Sequence, residues 1–409
     1  MAGRKIVILG GSYGGLSTAH YLLKHAIPQL PSDEYEVVLI SSSPQAICRP
    51  ACPRALISDD MFDQKKLFAE VAIQFDQYPT GRFRFVQGTA TELDHDNRTV
   101  SIKLAGDGTE KISFYALVIA TGASTPSPLL GLNQTDKILR DNWALFRTAL
   151  PNAKNIVISG GGPAGVETAG ELGEYLNGTP GFFSSKLVDP KVKISVVTAG
   201  PKILPLLRPA IGEKAESFLA NVGVTVVKNT RVKSVEPAGA GTVDVTSKAV
   251  LTLEDGSTLD ADLYIPATGS KPNTDFIDKA LLTADGRVET SSTLRVDKAG
   301  PRIYAIGDVA SYARGAVHLI LEAVPVLCAN IKRDLLLDSG AEASAGNEDR
   351  VFKEDTRETQ MVPIGKSKGV GAAMGWALPS FFVWLIKGRD YWLWTTANLW
   401  NGNQWAKES

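Results

Sequence analysis

Three glycines near the middle of the chain have the spacing that binds the phosphates of a dinucleotide. Gly160, Gly162 and Gly165 follow the pattern G-x-G-x-x-G between an apolar run, residues 156–159, and a helical pattern, residues 164–172. In such a turn the first glycine permits a sharp bend and the second lets a pyrophosphate approach the backbone. The third glycine lets helix and strand pack closely. The alternative is a glycine turn that serves packing alone.

The start of the chain contains a second turn of this kind. A predicted strand at residues 5–9 leads into Gly10, Ser12, Gly14 and Gly15, and a helical pattern follows. Ser12 stands where the second glycine of the pattern would be. We expect the backbone there to remain accessible to a phosphate, under a tighter steric constraint.

After each glycine turn and its helix comes a second strand. Neither of these two strands ends in the acidic residue that usually binds a ribose. The strand predicted at residues 36–40 ends at Ser41, which would have to make this contact. The strand predicted at residues 193–198 is followed by a loop with Lys202 but no acid. Lys202 would meet a 2′-phosphate or would simply be solvated, so the sequence leaves the preference between NADH and NADPH open.

The two glycine turns open two copies of one pattern. In each copy a strand, a glycine turn, a helix and further strands end in Ala-Thr-Gly, at residues 120–122 and 267–269, after nearly the same number of residues. A later apolar strand, residues 302–306, ends at Gly307 and Asp308, whose carboxylate can accept hydrogen bonds from cofactor hydroxyls. This repetition predicts an α/β fold with two Rossmann-like dinucleotide-binding domains.

These motifs together resemble the two-dinucleotide-binding-domain flavoproteins, the glutathione reductase-like superfamily, over residues 4 to about 336. The resemblance implies that the second domain is inserted in the first, that the first domain binds FAD and that the inserted domain binds NAD(P)H. The implied boundaries are residues 1–135 and 270–337 for the FAD domain and 136–269 for the NAD(P)H domain. Residues 351–409 form an aromatic-rich C-terminal region that covers the flavin site or an interface.

The resemblance also assigns roles to individual residues. Ala90 would meet the adenine, and Asp308 would bind the ribityl chain. The residues predicted to bind FAD are Gly10, Ser12, Gly14, Gly15, Ser41, Arg54, Ala90, Thr121, Gly122, Gly307 and Asp308. Those predicted to bind NAD(P)H are Gly160, Gly162, Gly165 and Gly269. No metal site is predicted.

Within the superfamily the chain is similar to the apoptosis-inducing-factor-like branch, which includes the ferroptosis suppressor, an NAD(P)H:quinone reductase. Residues 160–167, the Pro53-Arg54 pair, and residues 365–394 carry this similarity. It implies that Glu167 and Lys387 are catalytic, near the nicotinamide and the flavin respectively. Hydride would pass from NAD(P)H to flavin N5 and on to a quinone-type acceptor.

The chain departs from that branch at Ser12 and Ser41, at Arg49, where Asn is usual, and at Ala2, where the myristoyl glycine would be. These departures leave the membrane location and the substrate open. One alternative is an oxidoreductase that acts on a specialised metabolite, with the aromatic tail forming a pocket for a bulky substrate. Another is a flavoprotein redox sensor or scaffold without efficient turnover.

Four residues that could do chemistry also have simpler interpretations. Glu167 could be a carboxylate favoured by the helix dipole, and Lys387 could be a solvated lysine over an aromatic patch. Cys48 and Cys52 lie where disulfide reductases of the superfamily carry a redox pair, but their spacing is C-x3-C. Cys328 falls in an apolar helical pattern and is expected in the core.

The tail concentrates the aromatic residues of the chain. Six of the seven tryptophans fall after residue 375. Residues 369–386 are uncharged but contain three glycines and a proline, which argues against a membrane-spanning helix. Two interpretations remain: a peripheral membrane or quinone-entry surface, or a hydrophobic cap on the flavin site or a homodimer contact.

Composition narrows the location and the partners. The 409 residues include 43 basic and 44 acidic side chains, giving a net charge of −1, so nothing attracts nucleic acid. Three cysteines are typical of a reducing compartment. A strand that begins near Lys5 leaves no room for a signal peptide. We therefore expect a cytoplasmic protein, with membrane association open, whose partner is a small-molecule electron acceptor, a quinone or another conjugated compound.

Overall fold

The computed structural model describes residues 4–31, 34–179, 187, 189–341 and 348–408. Ala2 lies outside the described residues, as does the middle of residues 338–350, a stretch of small and polar residues for which the sequence predicts a linker.

The larger sheet is built around the first strand, Arg4–Leu9, whose last four residues are buried. Tyr35–Ser41 and Ala116–Ile119 pair with it in parallel on either side. Ile303–Ala305 then adds in parallel to Ala116–Ile119, so a late strand completes a sheet that the chain begins at its N-terminus. The other strands of this sheet are Phe83–Asp94, Thr99–Leu104 and Thr109–Ser113.

The inserted domain has its own parallel sheet around the strand Asn155–Ser159. Its neighbours are Lys193–Val197 on one side and Leu263–Pro266 on the other. Val224–Val227 completes the sheet at its edge. A separate antiparallel sheet contains Val232–Glu236, Ala249–Leu253 and Thr258–Ala261.

The chain leaves the first sheet and returns to it at one place. Ala123–Ser124 runs antiparallel to Lys271–Pro272, so the two connections between the domains lie side by side. The predicted α/β fold with two dinucleotide-binding sheets is confirmed.

Close packing explains why each copy of the repeat has both a glycine turn near its start and an Ala-Thr-Gly sequence at its end. A Cβ on Gly10 would lie 2.1 Å from the carbonyl oxygen of Ala120, and one on Gly160 would lie 2.3 Å from that of Ala267. Only glycine allows the two loops to approach this closely. The repeat in the sequence is therefore a repeat of one packing arrangement.

Helices cover the sheets and connect the regions. Tyr13–Tyr21 packs against the long helix Val317–Asp338, which runs through Pro325. The short helix Cys52–Ala55 packs against Pro163–Asn177 of the inserted domain. The other α-helices are Gln64–Leu67, Asp136–Ala149, Pro209–Asn221, Ser380–Val383 and Leu393–Trp400.

The C-terminal region contacts both domains. Its antiparallel strands are Gln360–Ile364, Lys368–Ala373 and Trp376–Ala377. The first strand lies so close to the helix Pro163–Asn177 that a Cβ on Gly170 would be 2.9 Å from the Cα of Ile364. The segment Trp384–Gly388 is a π-helix, and Leu393–Trp400 returns to the first helix of the FAD domain.

One predicted strand begins later than the sequence pattern indicates. A strand at residues 243–253 is expected from the apolar residues, but the observed strand is Ala249–Leu253. Val243 is 84% exposed, in a turn where its backbone N–H donates to Gly239. Glycines with positive φ at 239 and 241 fix this turn and override the β-propensity of the valine.

Candidate active site

A cavity of about 1130 Å³ extends from the first glycine turn to the inserted domain and the C-terminal region. This volume exceeds the roughly 300–1,000 Å³ of sites for drug-sized ligands, so an extended ligand fits. Gly10, Ser12 and Gly14 line one end, and Glu167 and Lys387 line the wall contributed by the other two regions.

The first glycine turn fits a pyrophosphate. A Cβ on Gly15 would lie 1.8 Å from the carbonyl oxygen of Gly10, which explains why glycine is needed beneath the turn and away from the cavity. Ser12 precedes the helix with φ −127°, an extended conformation that any residue adopts. The missing second glycine therefore causes no backbone strain, and the helix N-terminus remains available to a phosphate.

Most of the other predicted FAD contacts lie on the cavity wall. Asp308 also lies there, with its Oδ2 3.5 Å from Nη1 of Arg49, the residue that departs from the family pattern. Nη1 of Arg49 also donates to the carbonyl oxygen of Ala123 at 3.1 Å. The remaining predicted residues on the wall are Ser41, Ala90, Thr121, Gly122 and Gly307.

The second glycine turn fits a second dinucleotide beside this cavity, whose wall includes Pro163 and Ala164 of the same turn. A Cβ on Gly165 would lie 2.0 Å from the carbonyl oxygen of Gly160, as in the first turn. Gly162 is the N-cap of a fifteen-residue helix, and no described atom lies within 4 Å of its missing Cβ. Gly269 is exposed with φ +78°. Lys202 donates to the carbonyl oxygen of Leu207.

Glu167 and Lys387 form a buried ion pair on the cavity wall. Nζ of Lys387 lies 2.5 Å from Oε1 of Glu167 and donates a second hydrogen bond, at 3.0 Å, to the carbonyl oxygen of Met361. The two side chains are only 7% and 4% exposed. The simpler interpretation of Lys387, a solvated lysine, is therefore wrong.

Burial raises the pKa of Glu167 to about 7, although Lys387 opposes this shift. Glu171, one helical turn further on, adds to the rise in pKa because its carboxylate repels a second negative charge. Glu167 therefore exchanges a proton near neutral pH. A carboxyl group with this property beside a cation in a cavity is typical of an acid–base site.

Arg54 lies away from the predicted flavin contact. It is absent from the described residues that line the cavity, and its guanidinium donates to both carboxylate oxygens of Glu171 at 2.9 and 2.8 Å. Tyr391 donates to the same carboxylate at 2.9 Å. The sequence does not identify Glu171 and Tyr391 as site residues. The one indication of Glu171 is its position four residues after Glu167 on the same helix face.

The two neighbouring cysteines are buried thiols behind the cavity. Burial raises the pKa of Cys48 to about 11 and that of Cys52 to about 12. Neither is among the described residues that line the cavity, and both are free. A reactive cysteine needs an accessible thiolate, so the geometry argues against a redox pair. Cys328 is buried in the core, as expected.

The aromatic tail divides into a buried part and an exposed part. Trp400 and Trp405 are buried against the FAD domain, and Lys387 reaches the cavity, as a cap would require. The exposed part, which we call the aromatic patch, comprises Met374, Trp376, Phe381, Phe382 and Leu385. Within the described residues, no helix is long and apolar enough to cross a membrane.

The family model described as pyridine nucleotide-disulphide oxidoreductase matches residues 4–326. The chain belongs to the pyridine nucleotide-disulphide oxidoreductase family. As a member it is an oxidoreductase that binds FAD and NAD(P)H, which confirms both predicted cofactors. The described residues contain no group of three or more side chains that could hold a metal ion.

Two relatives and one structure show how the chain sits in this family. Oxidoreductase phnG of Penicillium herquei is 64% identical over 99% of this chain and 98% of its own length. Ferroptosis suppressor protein 1 of Homo sapiens is 23% identical over 94% of this chain and 92% of its own. The sulfide:quinone oxidoreductase structure from Aquifex aeolicus has a TM-score of 0.69 at 17% identity, covering 98% of this chain and 92% of that one.

Proposed function

We propose that this chain passes the hydride of NAD(P)H through FAD to a conjugated carbonyl compound of a fungal metabolite pathway. The observation that carries the proposal is the buried ion pair of Glu167 and Lys387 on the wall of the cavity that the FAD turn opens. Reduction of a conjugated dicarbonyl to its dihydroxy form consumes one hydride and one proton. The ion pair supplies the proton.

The two residues have complementary roles in this proposal. When bound, the flavin accepts hydride from NAD(P)H and returns the two electrons to the acceptor. Lys387 places an ammonium group beside the developing oxyanion, stabilises it and donates a proton. Glu167, with its pKa raised to about 7 by burial, then returns a proton to Lys387.

The surroundings of Lys387 favour an apolar, conjugated acceptor. Its ammonium lies 5.0 Å from the ring centroid of Trp392. The cavity wall also includes five apolar residues, namely Ile47, Pro50, Pro53, Pro163 and Ala164, whereas Trp392 is not among the described residues that line it. The 64% identity to oxidoreductase phnG of the fungus Penicillium herquei supports an acceptor that occurs in fungi.

Reduction of a simple quinone is the second candidate. Ferroptosis suppressor protein 1 of Homo sapiens matches 94% of this chain. The low identity and the change at Arg49 favour the metabolite instead, because a guanidinium on the cavity wall alters which acceptors bind there.

Anaerobic stopped-flow spectroscopy of the flavin-loaded protein tests the proposal. The flavin is first reduced with NADH or with NADPH, and its reoxidation is then followed at about 450 nm. Benzoquinone, menadione and phenanthrenequinone serve as acceptors with one, two and three fused rings. We expect saturable reoxidation whose half-saturating concentration falls with each added ring, because each ring buries more apolar surface. A linear, unsaturable dependence for every acceptor would contradict an acceptor site.

A further inference from the structure

Three buried side chains from three different regions meet beside the Glu167–Lys387 pair. Arg54 comes from the FAD domain, Glu171 from the helix of the inserted domain, and Tyr391 from the C-terminal region. They are 5%, 3% and 0% exposed. We call these three residues the clasp.

The clasp is closed by hydrogen bonds on every side. Arg54 binds Glu171 through Nε at 2.9 Å and through Nη2 at 2.8 Å. The hydroxyl of Tyr391 donates to Oε1 of the same carboxylate at 2.9 Å, and the guanidinium lies 4.8 Å from the centroid of the Tyr391 ring. Arg54 also donates to the carbonyl oxygens of Gly365 and Arg389, both in the C-terminal region.

The clasp is joined directly to both members of the ion pair. The backbone N–H of Tyr391 donates to the carbonyl oxygen of Lys387 at 2.6 Å. Glu171 lies four residues after Glu167, so both carboxylates project from the same face of one helix. The groups that face Glu167 are therefore Glu171 on its own helix, Arg54 from the FAD domain, and Lys387 and Tyr391 from the tail.

Stability alone does not explain a charged cluster at this position. Removing two charges from water costs several kcal/mol per ion, and apolar residues of the same volume are often as stabilising. Tyr391 also adopts φ +53°, a left-handed conformation that is strained for a residue other than glycine. A positioning role toward the neighbouring ion pair would explain both the buried charges and the strained backbone of Tyr391.

We propose that Arg54, Glu171 and Tyr391 are positioning residues that hold Lys387 against Glu167 and set the charge around that pair. The proposal rests on the function proposed above, in which Glu167 and Lys387 transfer the proton. The clasp touches neither cavity nor acceptor and acts only through the pair.

The charges define the direction of each effect. Glu171 raises the pKa of Glu167, while Lys387 and Arg54 lower it against the larger effect of burial. Glu171→Gln removes the negative charge and leaves Arg54 unpaired, and both changes lower the pKa of Glu167. The double variant Arg54→Leu/Glu171→Leu removes two charges whose effects on the pKa of Glu167 have opposite signs. Tyr391→Phe removes a hydrogen bond and no charge at neutral pH.

The test is a pH titration of the flavin-loaded variants by two readouts. The first is the absorption spectrum of the oxidised flavin, which senses a charge that appears on the cavity wall. The second is the rate of flavin reoxidation by menadione. In Glu171→Gln we expect the midpoint pH of the spectral change and the midpoint pH of the reoxidation rate both to fall by about one pH unit or more. Arg54→Leu/Glu171→Leu should bring the midpoint back toward that of wild type, and Tyr391→Phe should keep the midpoint but react at least about tenfold more slowly.

Two results would overturn the proposal: a wild-type midpoint in Glu171→Gln, or a wild-type rate in Tyr391→Phe. If Glu171→Gln does not fold, the rate of Tyr391→Phe and the midpoint of the double variant decide. Failure of the proposed function is recognised separately. In that case Glu167→Gln itself would keep the wild-type pH dependence, whatever the clasp variants do.

Discussion

At the scale of single residues, Glu167 determines the pH dependence that this enzyme should show. Its pKa, raised to about 7 by burial, means that the carboxyl is half-protonated near neutral pH. A group in that state can both take up and release a proton during each turnover. Its direct partner Lys387 is 220 residues away in sequence, so only the fold brings them together.

Glu167→Gln should therefore remove the pH dependence of flavin reoxidation near pH 7. The amide cannot ionise, and without it the reoxidation by menadione should slow by roughly 10²-fold, the lower end of general acid–base contributions. The measurement is the rate of reoxidation between about pH 5.5 and pH 8.5. Glu213→Gln, exposed on the helix Pro209–Asn221 and absent from the described residues that line the cavity, is the matched control and should behave as wild type.

The sequence identifies residues of this site better than it identifies their partners. Glu167 and Lys387 can both be predicted from motifs. Arg54 is also found, but its predicted flavin contact does not match its position, because Glu171 is 117 residues away and nothing in either segment indicates the pairing. The sequence departure at Ser12 proves harmless, because an extended φ does not need glycine.

At the scale of elements, two glycines of the second turn differ in what requires them: Gly165 is required by packing, and Gly162 by the ligand. Gly165 cannot accept a Cβ, because the carbonyl oxygen of Gly160 would be 2.0 Å away. Gly162 can accept one, because no described atom lies within 4 Å of that position and its φ is −78°. A change at Gly162 therefore reports on the dinucleotide alone.

Gly162→Ala should leave the melting temperature and the flavin content unchanged but raise the half-saturating concentration of NAD(P)H by at least about tenfold, or 1.4 kcal/mol. The added methyl group would occupy space that a pyrophosphate needs. The measurement is the concentration dependence of flavin reduction in the stopped flow. Gly165→Ala is the contrasting variant and should lower the melting temperature. If the half-saturating concentration of NAD(P)H is unchanged in Gly162→Ala, the phosphates of the dinucleotide do not bind at this glycine.

The C-terminal segment is attached to the first helix of the FAD domain by a buried histidine. Nε2 of His20 donates to the carbonyl oxygen of Trp400 at 2.7 Å, and Nδ1 accepts from the hydroxyl of Tyr78 at 2.8 Å. This arrangement requires a neutral ring. Burial lowers the pKa of His20 from 6.5 to about 4, against the hydrogen bond to Trp400.

The stability of this attachment should fall as the pH falls below 6.5. Above that value the ring is neutral in both the folded and the unfolded state. Between 6.5 and about 4 only the unfolded chain binds the proton, which destabilises the folded state. We expect a loss of about 2 kcal/mol between about pH 7 and pH 5, measured by urea unfolding followed by tryptophan fluorescence. In His20→Phe this part of the pH dependence of the free energy of unfolding should be absent. If the free energy of unfolding falls equally with pH in His20→Phe and in wild type, His20 is not the group responsible.

Periodicity predicts regular elements well and turns less well. The central strands of the two parallel sheets, Arg4–Leu9 and Asn155–Ser159, and the strands directly beside them are mainly apolar, so the sequence predicts them to within a residue or two. The strand Phe83–Asp94 continues eight residues beyond its predicted end at Val86. The strand expected at residues 243–253 starts late because glycines and Asp244 stabilise a turn within it. Its partner strand, Val232–Glu236, is mostly exposed and has a weak apolar pattern, so the sequence does not reveal it.

At the scale of the whole molecule, the two-domain plan could be predicted because it repeats. Two glycine turns and two Ala-Thr-Gly closures require the same packing twice, and the family match confirms the fold. The sequence could not separate the two interpretations of the tail, because one segment contributes both a residue of the cavity wall and exposed apolar side chains. Lys387 lines the cavity, while Phe381, Phe382 and Leu385, a few residues earlier, remain exposed.

The aromatic patch should bind lipid bilayers. Trp376 and Phe381 are 79% and 60% exposed, and exposed tryptophan favours the membrane interface. We expect the protein to co-sediment with phosphatidylcholine vesicles and the triple variant Trp376→Ser/Phe381→Ser/Phe382→Ser to remain in the supernatant. Its free energy of unfolding should stay within about 0.5 kcal/mol of wild type, because the side chains are exposed.

Val243→Ser, which removes an apolar side chain that is 84% exposed in the inserted domain, is the control for the vesicle experiment. It should bind vesicles as wild type does. A wild-type protein that stays in the supernatant would contradict membrane contact. Sedimentation velocity would then show whether the patch joins two copies of the chain.

The most direct test of the account separates the two half-reactions in Lys387→Met. With NAD(P)H in excess, flavin reduction should stay within about threefold of wild type, while reoxidation by menadione should slow by roughly 10²-fold because the proton donor is missing. Breaking a buried pair costs about 3–5 kcal/mol, so Glu167→Leu/Lys387→Met is measured beside it and should regain stability but not rate. Reoxidation of Lys387→Met at the wild-type rate would contradict the central claim that this ion pair supplies the proton.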